Sequence, residues 1–245
     1  MKQIPLSLLI LFSATLDLSA MDWTIQKSGL VNACGEQISQ PGFQEEGWIK
    51  GFVPGTVAKA YQAAGLLEDI TYDNNVEFVD DAFYNSDFWY RTTLNVPVLA
   101  NDESLILNFD GINWKAEVYM NGAYLGLVDG AYREGDFDVT GLLKKGENCL
   151  AVRVICNEHF GAVTEQNALS SGHNGGILGA DNPTVHASIG WDWVPTVRGR
   201  NSGIIDDVYL NYTGPVTVES PFVRTKIPLP DTTYADILSE VTLVN

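Results

Sequence analysis

Residues 115–128 read KAEVYMNGAYLGLV. Two arms of alternating apolar and polar residues flank Asn121-Gly122, a dipeptide suited to a two-residue type I′ turn, whose central positions both need φ > 0. The stretch therefore predicts a β-hairpin. The same rhythm continues outward: WYRTTLNVP at 89–97 and LILNFDG at 105–111 precede it, and FDVTGLL at 137–143, CLAVRVIC at 149–156 and GIIDDVYLNY at 203–212 follow. Each run is short, rich in β-branched and aromatic residues, and bounded by Gly, Asn, Asp or Pro. In CLAVRVIC, Leu150, Val152, Val154 and Cys156 share one face while Arg153 stands on the other, which predicts a half-exposed strand. Phe88, Trp89, Tyr90 and Trp114 lie in strands or at their ends and are expected in the core. One helix is expected, TVAKAYQAAGLL at 56–67, with Thr56 as N-cap and Gly65 at its C-terminal end. Many short strands with one short helix predict an all-β fold, a jelly-roll β-sandwich.

Composition bounds the function. Thirty-one acidic against 14 basic residues leave a net charge of −17, the wrong sign for phosphate backbones, so no nucleic-acid role is expected. The N-terminus, MKQIPLSLLILFSATLDLSA, has a lysine, an apolar run from Leu6 to Phe12 and small residues at Ser19 and Ala20. That layout predicts a signal peptide over 1–20, cleaved after about Ala20, and a secreted or periplasmic protein. The apolar run is far shorter than the roughly 20 residues that span a bilayer, so no membrane segment is expected. Cys34, Cys149 and Cys156 do not form a disulfide framework; the latter two, in one extended run, read as buried small hydrophobes, and a bridge from Cys34 to one of them has no support.

Two segments break the strand rhythm. From 157 to 188 the chain is rich in Gly, Asn and Pro and predicts a long loop, a length usually tied to function or disorder. His159, His173 and His186 with Asp181 match no common metal spacing, and the glycines of GGILG lack the Lys of a phosphate loop, so no metal or cofactor is expected. Further on comes GWDWVPTVRGRN at 190–201. Trp191 and Trp193 offer aromatic faces to the C–H face of a pyranose, and Asp192 offers a carboxylate to its hydroxyls, the two interactions a sugar site needs. From composition alone, two core tryptophans with Asp192 capping a turn is the stronger reading, because large aromatics usually bury. After Pro215 a proline-punctuated link leads to a strand at 235–244, which predicts that a second β domain begins near Ser220.

The succession VPGTVAKAYQAAGLL, DFWYRTTLNVP, LNFDGINWKAEVYMNGAYLG, FDVTGLLKKGENCLAVRV and GWDW ahead of GIIDDVYL resembles the N-terminal sugar-binding, galactose-binding-like domain of family 2 glycoside hydrolases. The W-D-W-x-P form is closer to the β-mannosidase and exo-β-glucosaminidase branch than to the β-galactosidases. The resemblance implies a jelly roll over 21–219 and the truncated start of an immunoglobulin-like domain over 220–245, poorly ordered without its remaining strands. It also implies that the catalytic barrel, with both catalytic glutamates, is absent from this chain, which alone should not cleave a glycosidic bond. Asp192 would then contact substrate, a β-linked oligosaccharide or glycoside, with Trp191 and Trp193 shaping the pocket. A stand-alone carbohydrate-binding or interaction module is the alternative. Asn157-Glu158 imitates the family's acid/base dipeptide outside the barrel context. Asp80-Asp81 and Asp206-Asp207 are local doublets rather than a catalytic pair, since a retaining enzyme needs carboxylates roughly 5 Å apart and the second doublet, on a strand, would point to opposite faces.

Overall fold

A computed structural model describes residues 15–96, 103–159 and 201–244. Two antiparallel sheets form its body. One joins β1 (Thr15–Asp17), β12 (Val208–Thr213), β5 (Ser104–Phe109) and β9 (Gly135–Asp138) in that order; the other runs β3 (Ile49–Lys50), β2 (Trp23–Lys27), β4 (Phe88–Val96), β10 (Gly146–Ile155), β7 (Lys115–Met120) and β8 (Ala123–Asp129). Sequence neighbours are often not sheet neighbours, as in the jelly-roll sandwich expected. Leu105, Leu107, Phe109 and Leu210 from the first sheet meet Ile25, Tyr90, Val118 and Val152 from the second in one core, all fully or almost fully buried.

The hairpin forms where it was predicted. Met120 pairs with Ala123, and Asn121 and Gly122 take φ of 50° and 88°, both positive as a type I′ turn requires. The Asn121 amide donates to Leu142 O at 2.8 Å and its Oδ1 accepts from Cys149 N at 2.9 Å, so the turn is bolted to the neighbouring strand. The expected helix is α2 (Val57–Ala63). Thr56 Oγ1 accepts from Lys59 N at 3.2 Å, and Gly65 turns the chain at φ 69° so that Leu66 N reaches Tyr61 O and Gly65 N reaches Gln62 O. That is a side-chain N-cap and a Schellman stop, the ends read from Thr56 and Gly65. Single helical turns, α1 (Gly35–Ile38) and α3 (Asp81–Tyr84), also occur.

Three expectations need correction. β10 is covered on both faces around Cys149–Ala151: Ile38, Trp89, Tyr119 and Ala151 form a second cluster on its outer side. Arg91 locks the covering segment down, donating to Ile38 O at 3.0 Å and Gln40 O at 3.1 Å and pairing with Glu45. Strand periodicity could not reveal this cover, because Ile38 lies 111 positions from Cys149 in sequence. The run at 203–212 is two strands, β11 (Gly203–Ile204), paired with β6 (Ile112–Asn113), and β12. Asp206 and Asp207 occupy the turn between them, and their carboxylates converge with that of Asp110 instead of pointing apart.

At the N-terminal end, β1 pairs with β12 and Leu18 is fully buried, its carbonyl accepting from Trp23 Nε1 at 2.8 Å. A cut after Ala20 would remove this strand and its core residue. At the other end, β13 (Thr217–Lys226) and β14 (Asp236–Val244) pair as a two-stranded ribbon with almost every side chain exposed. All three cysteines are free, and no helix among the described residues is long and apolar enough to cross a membrane.

Candidate functional site

Trp191, Asp192 and Trp193 lie outside the described residues, as do His173, Asp181, His186, Arg198 and Arg200. The structure does describe where the chain leaves and re-enters around them. The departure is held by Asp87, just ahead of β4. Its Oδ1 accepts from Cys156 N at 2.9 Å, and its Oδ2 accepts from Arg153 Nε at 3.0 Å and Nη2 at 2.7 Å. Arg153 also donates to Glu117 at 3.3 Å. Both carboxylates stabilise the guanidinium and hold its pKa up despite the opposing cost of burial. Asn157 is buried and Glu158 and His159 are exposed, so the Asn-Glu pair ends a strand as expected.

The return is held by α2. Val57 N donates to Ser202 O and Gly55 N to Ile204 O, each at 2.8 Å, and Asn113 Nδ2 donates to Asn201 O at 3.0 Å. Gly203 makes this approach sterically feasible: a Cβ there would meet Gly55 O at 2.4 Å, Thr56 Cα at 2.9 Å and Tyr90 Oη at 2.9 Å, and its φ is 149°. Only glycine accommodates both the conformation and the contact. Tyr90 Oη and Trp114 Nε1, each more than nine-tenths buried, have no hydrogen-bond partner among the described residues.

The two elements that fasten these ends also wall a cavity of about 440 Å³. Tyr61 comes from α2; Phe78, Asp80, Phe83 and Tyr84 come from the segment leading to Asp87, and Leu67 completes the wall. Tyr61 is locked to the start of β4 by an edge-to-face contact with Phe88 at 6.1 Å. Sequence reasoning missed Asp87 and this aromatic set. FVDDAFYNSDFWY at 78–90 carried the signal in its density of rings, but only its last three aromatics occupy regular strand positions.

Cys156, whose amide is held by Asp87, has its thiol equilibrium shifted toward the protonated form. Burial, and then the adjacent Asp87 carboxylate, push Cys156 up to about 11, leaving little thiolate at neutral pH. Elsewhere Asp110, Asp206 and Asp207 each bring one oxygen within 4.8 Å of the others, all three residues exposed; hard cations take such oxygen ligands.

Residues 23–206 match the family model described as "Glycosyl hydrolase 2 galactose-binding domain-like". The chain belongs to that family. Its relatives include a mannosylglycoprotein endo-β-mannosidase of Lilium longiflorum, 32% identical over 204 residues that cover 80% of this chain and 21% of the relative. An exo-β-D-glucosaminidase of Streptomyces avermitilis is 27% identical over 219 residues, covering 88% of this chain and 21% of the enzyme. Among solved structures, an Amycolatopsis orientalis exo-chitosanase in complex with PNP-β-D-glucosamine superposes with a TM-score of 0.74 and 27% identity, covering 95% of this chain and 24% of that one. This glycosyl hydrolase 2 domain thus spans about a fifth of the length of its curated relatives.

Proposed function

We propose that the chain is the non-catalytic sugar-binding module of a secreted family 2 exo-β-glycosidase and that Asp192 reaches the glycone subsite, with Trp191 and Trp193 shaping it. The supporting observation is the double anchorage: Asp87 holds Cys156 where the segment departs, and Val57 holds Ser202 ten residues after Asp192. Fixed points on either side of a segment limit where its side chains can reach. The relatives named as exo-β-D-glucosaminidases and the mannosidase support a β-glycoside as substrate, and catalytic carboxylates would come from the remainder of a longer polypeptide.

The test is Asp192→Ala in that longer polypeptide. Removing one charge-assisted hydrogen bond to a sugar hydroxyl predicts a fall in kcat/KM of about 10- to 100-fold on aryl β-glycosides, with folding unchanged. Unchanged kcat and KM would overturn the assignment. Hydrolysis by the 245-residue chain itself would overturn its reading as non-catalytic.

A further inference from the structure

The cavity beside α2 has a chemistry of its own. We propose that it is a second carbohydrate site, taking the neutral pyranose ring of a β-linked glycan independently of Asp192. About 440 Å³ falls in the range of small-molecule sites and holds one sugar ring with its substituents. Its rings are fixed by one another, Tyr61 against Phe83 at 4.9 Å and Phe83 against Tyr84 at 5.1 Å, both edge-to-face. At the mouth Phe78 is 77% exposed, a flat apolar surface standing beside a concavity. A pyranose C–H face packs on such a surface, and its hydroxyls need donors and acceptors at the rim.

Exposed Asp80 supplies an acceptor there, and Tyr84, only 3% exposed, adds a phenol to the lining. The Asp80 carboxylate is oriented by Ala82 N, which donates to it at 3.0 Å. The Tyr84 phenol is pushed up to about 12 by burial, with Tyr61 and Asp80 adding to the effect, so it keeps its proton. An ionised carboxylate only accepts and a protonated phenol can donate, a pairing that suits adjacent hydroxyls. Two other ligand classes fit less well. Lys27 Nζ already sits 4.5 Å over the Phe83 ring, so a cationic ligand would meet a like charge at the aromatic wall. A purely aliphatic ligand would cover the exposed Asp80 carboxylate while offering it no hydrogen bond beyond that from Ala82 N.

Saturation-transfer NMR on the 245-residue chain with methyl β-D-mannopyranoside tests the site. The expected result is saturable binding in the millimolar range, with transfer strongest to the ring protons of one sugar face. Phe78→Ala, which removes an exposed ring and leaves the core intact, should weaken binding about tenfold, and Asp80→Asn should weaken it comparably. Protonated methyl β-D-glucosaminide should bind less tightly than the neutral mannoside. No saturation up to about 100 mM, beyond the weakest useful affinities, would overturn the proposal. So would full affinity in Phe78→Ala, or tighter binding of the protonated amine.

Discussion

Asp87 is the residue whose loss should best separate anchoring from general stability. It accepts three hydrogen bonds, one from Cys156 N and two from the Arg153 guanidinium at 3.0 and 2.7 Å. Asp87→Ala leaves the Cys156 amide without its acceptor and leaves Arg153 only Glu117, at 3.3 Å. Hydrogen bonds to a charged group contribute about 1.5–3 kcal/mol. The Arg153 side chain is 37% exposed against 17% for Asp87, so water recovers part of that loss and the expected cost is about 2 kcal/mol. For a chain of this size it corresponds to a fall in Tm of about 4–8 °C. Asp87→Asn keeps an acceptor for Cys156 N but turns an amide NH2 toward the two Arg153 donors that Oδ2 accepts, so it should spare the backbone anchor and lose the pairing with Arg153. Urea unfolding of both variants, with Arg153→Ala and the double variant completing a cycle, provides the assay. The anchoring account also requires hydrogen exchange at Cys156 and Asn157 to speed up in Asp87→Ala while Val118 and Val152 stay protected. A change within about 0.5 kcal/mol, or no coupling between Asp87 and Arg153, would refute the reasoning.

Further outcomes follow from the same structure. Gly203→Ala would drive a Cβ into Gly55 O at 2.4 Å, backbone against backbone, so a loss of about 3 kcal/mol or more is expected in thermal unfolding. Thr56→Ala removes the side-chain cap on Lys59 N and should cost about 1 kcal/mol by the same measurement. A chain beginning at Met21 loses β1 and the buried Leu18; it should unfold several kcal/mol sooner than one beginning at Thr15, because apolar burial and strand pairing go together. Of the three thiols, exposed Cys34 alone should react promptly with an aromatic disulfide at pH 8, since burial pushes both Cys149 and Cys156 to about 11. In both, the folded-state pKa is raised from about 9 to about 11. Their contribution to stability is therefore complete below pH 9 and declines between pH 9 and 11, as the unfolded chain loses protons that the folded one keeps.

Much of the sandwich was legible because its signals are local. The alternation of KAEVYMNGAYLGLV and the Asn121-Gly122 turn depend on neighbours in sequence, and so do the Thr56 cap and the Gly65 stop. What misled was two-sidedness. Arg153 suggested an open face for β10, whereas Ile38 and Trp89 close it at Ala151, and the segment that covers it is held by Arg91 through contacts to Ile38 and Gln40. Asp206 and Asp207 lay in an apparent strand, but Ile205 N and Asp206 N both bond Gly111 O, turning the chain and gathering the two carboxylates with Asp110.

For the site the division is similar. Residue chemistry left Asp192 between Trp191 and Trp193 open between a sugar contact and a capped turn; the motif order favours the first reading, and all three residues lie outside the described residues. Only the tertiary structure could show that the departing end is held by Asp87, 69 residues away in sequence, and the returning end by Val57. Nor could the sequence show that Tyr61 and Tyr84 wall the same cavity. The physical reason is range: turn and cap preferences act over three or four residues, whereas cavities and anchors are made by parts of the chain that meet only when the sheets close on their core.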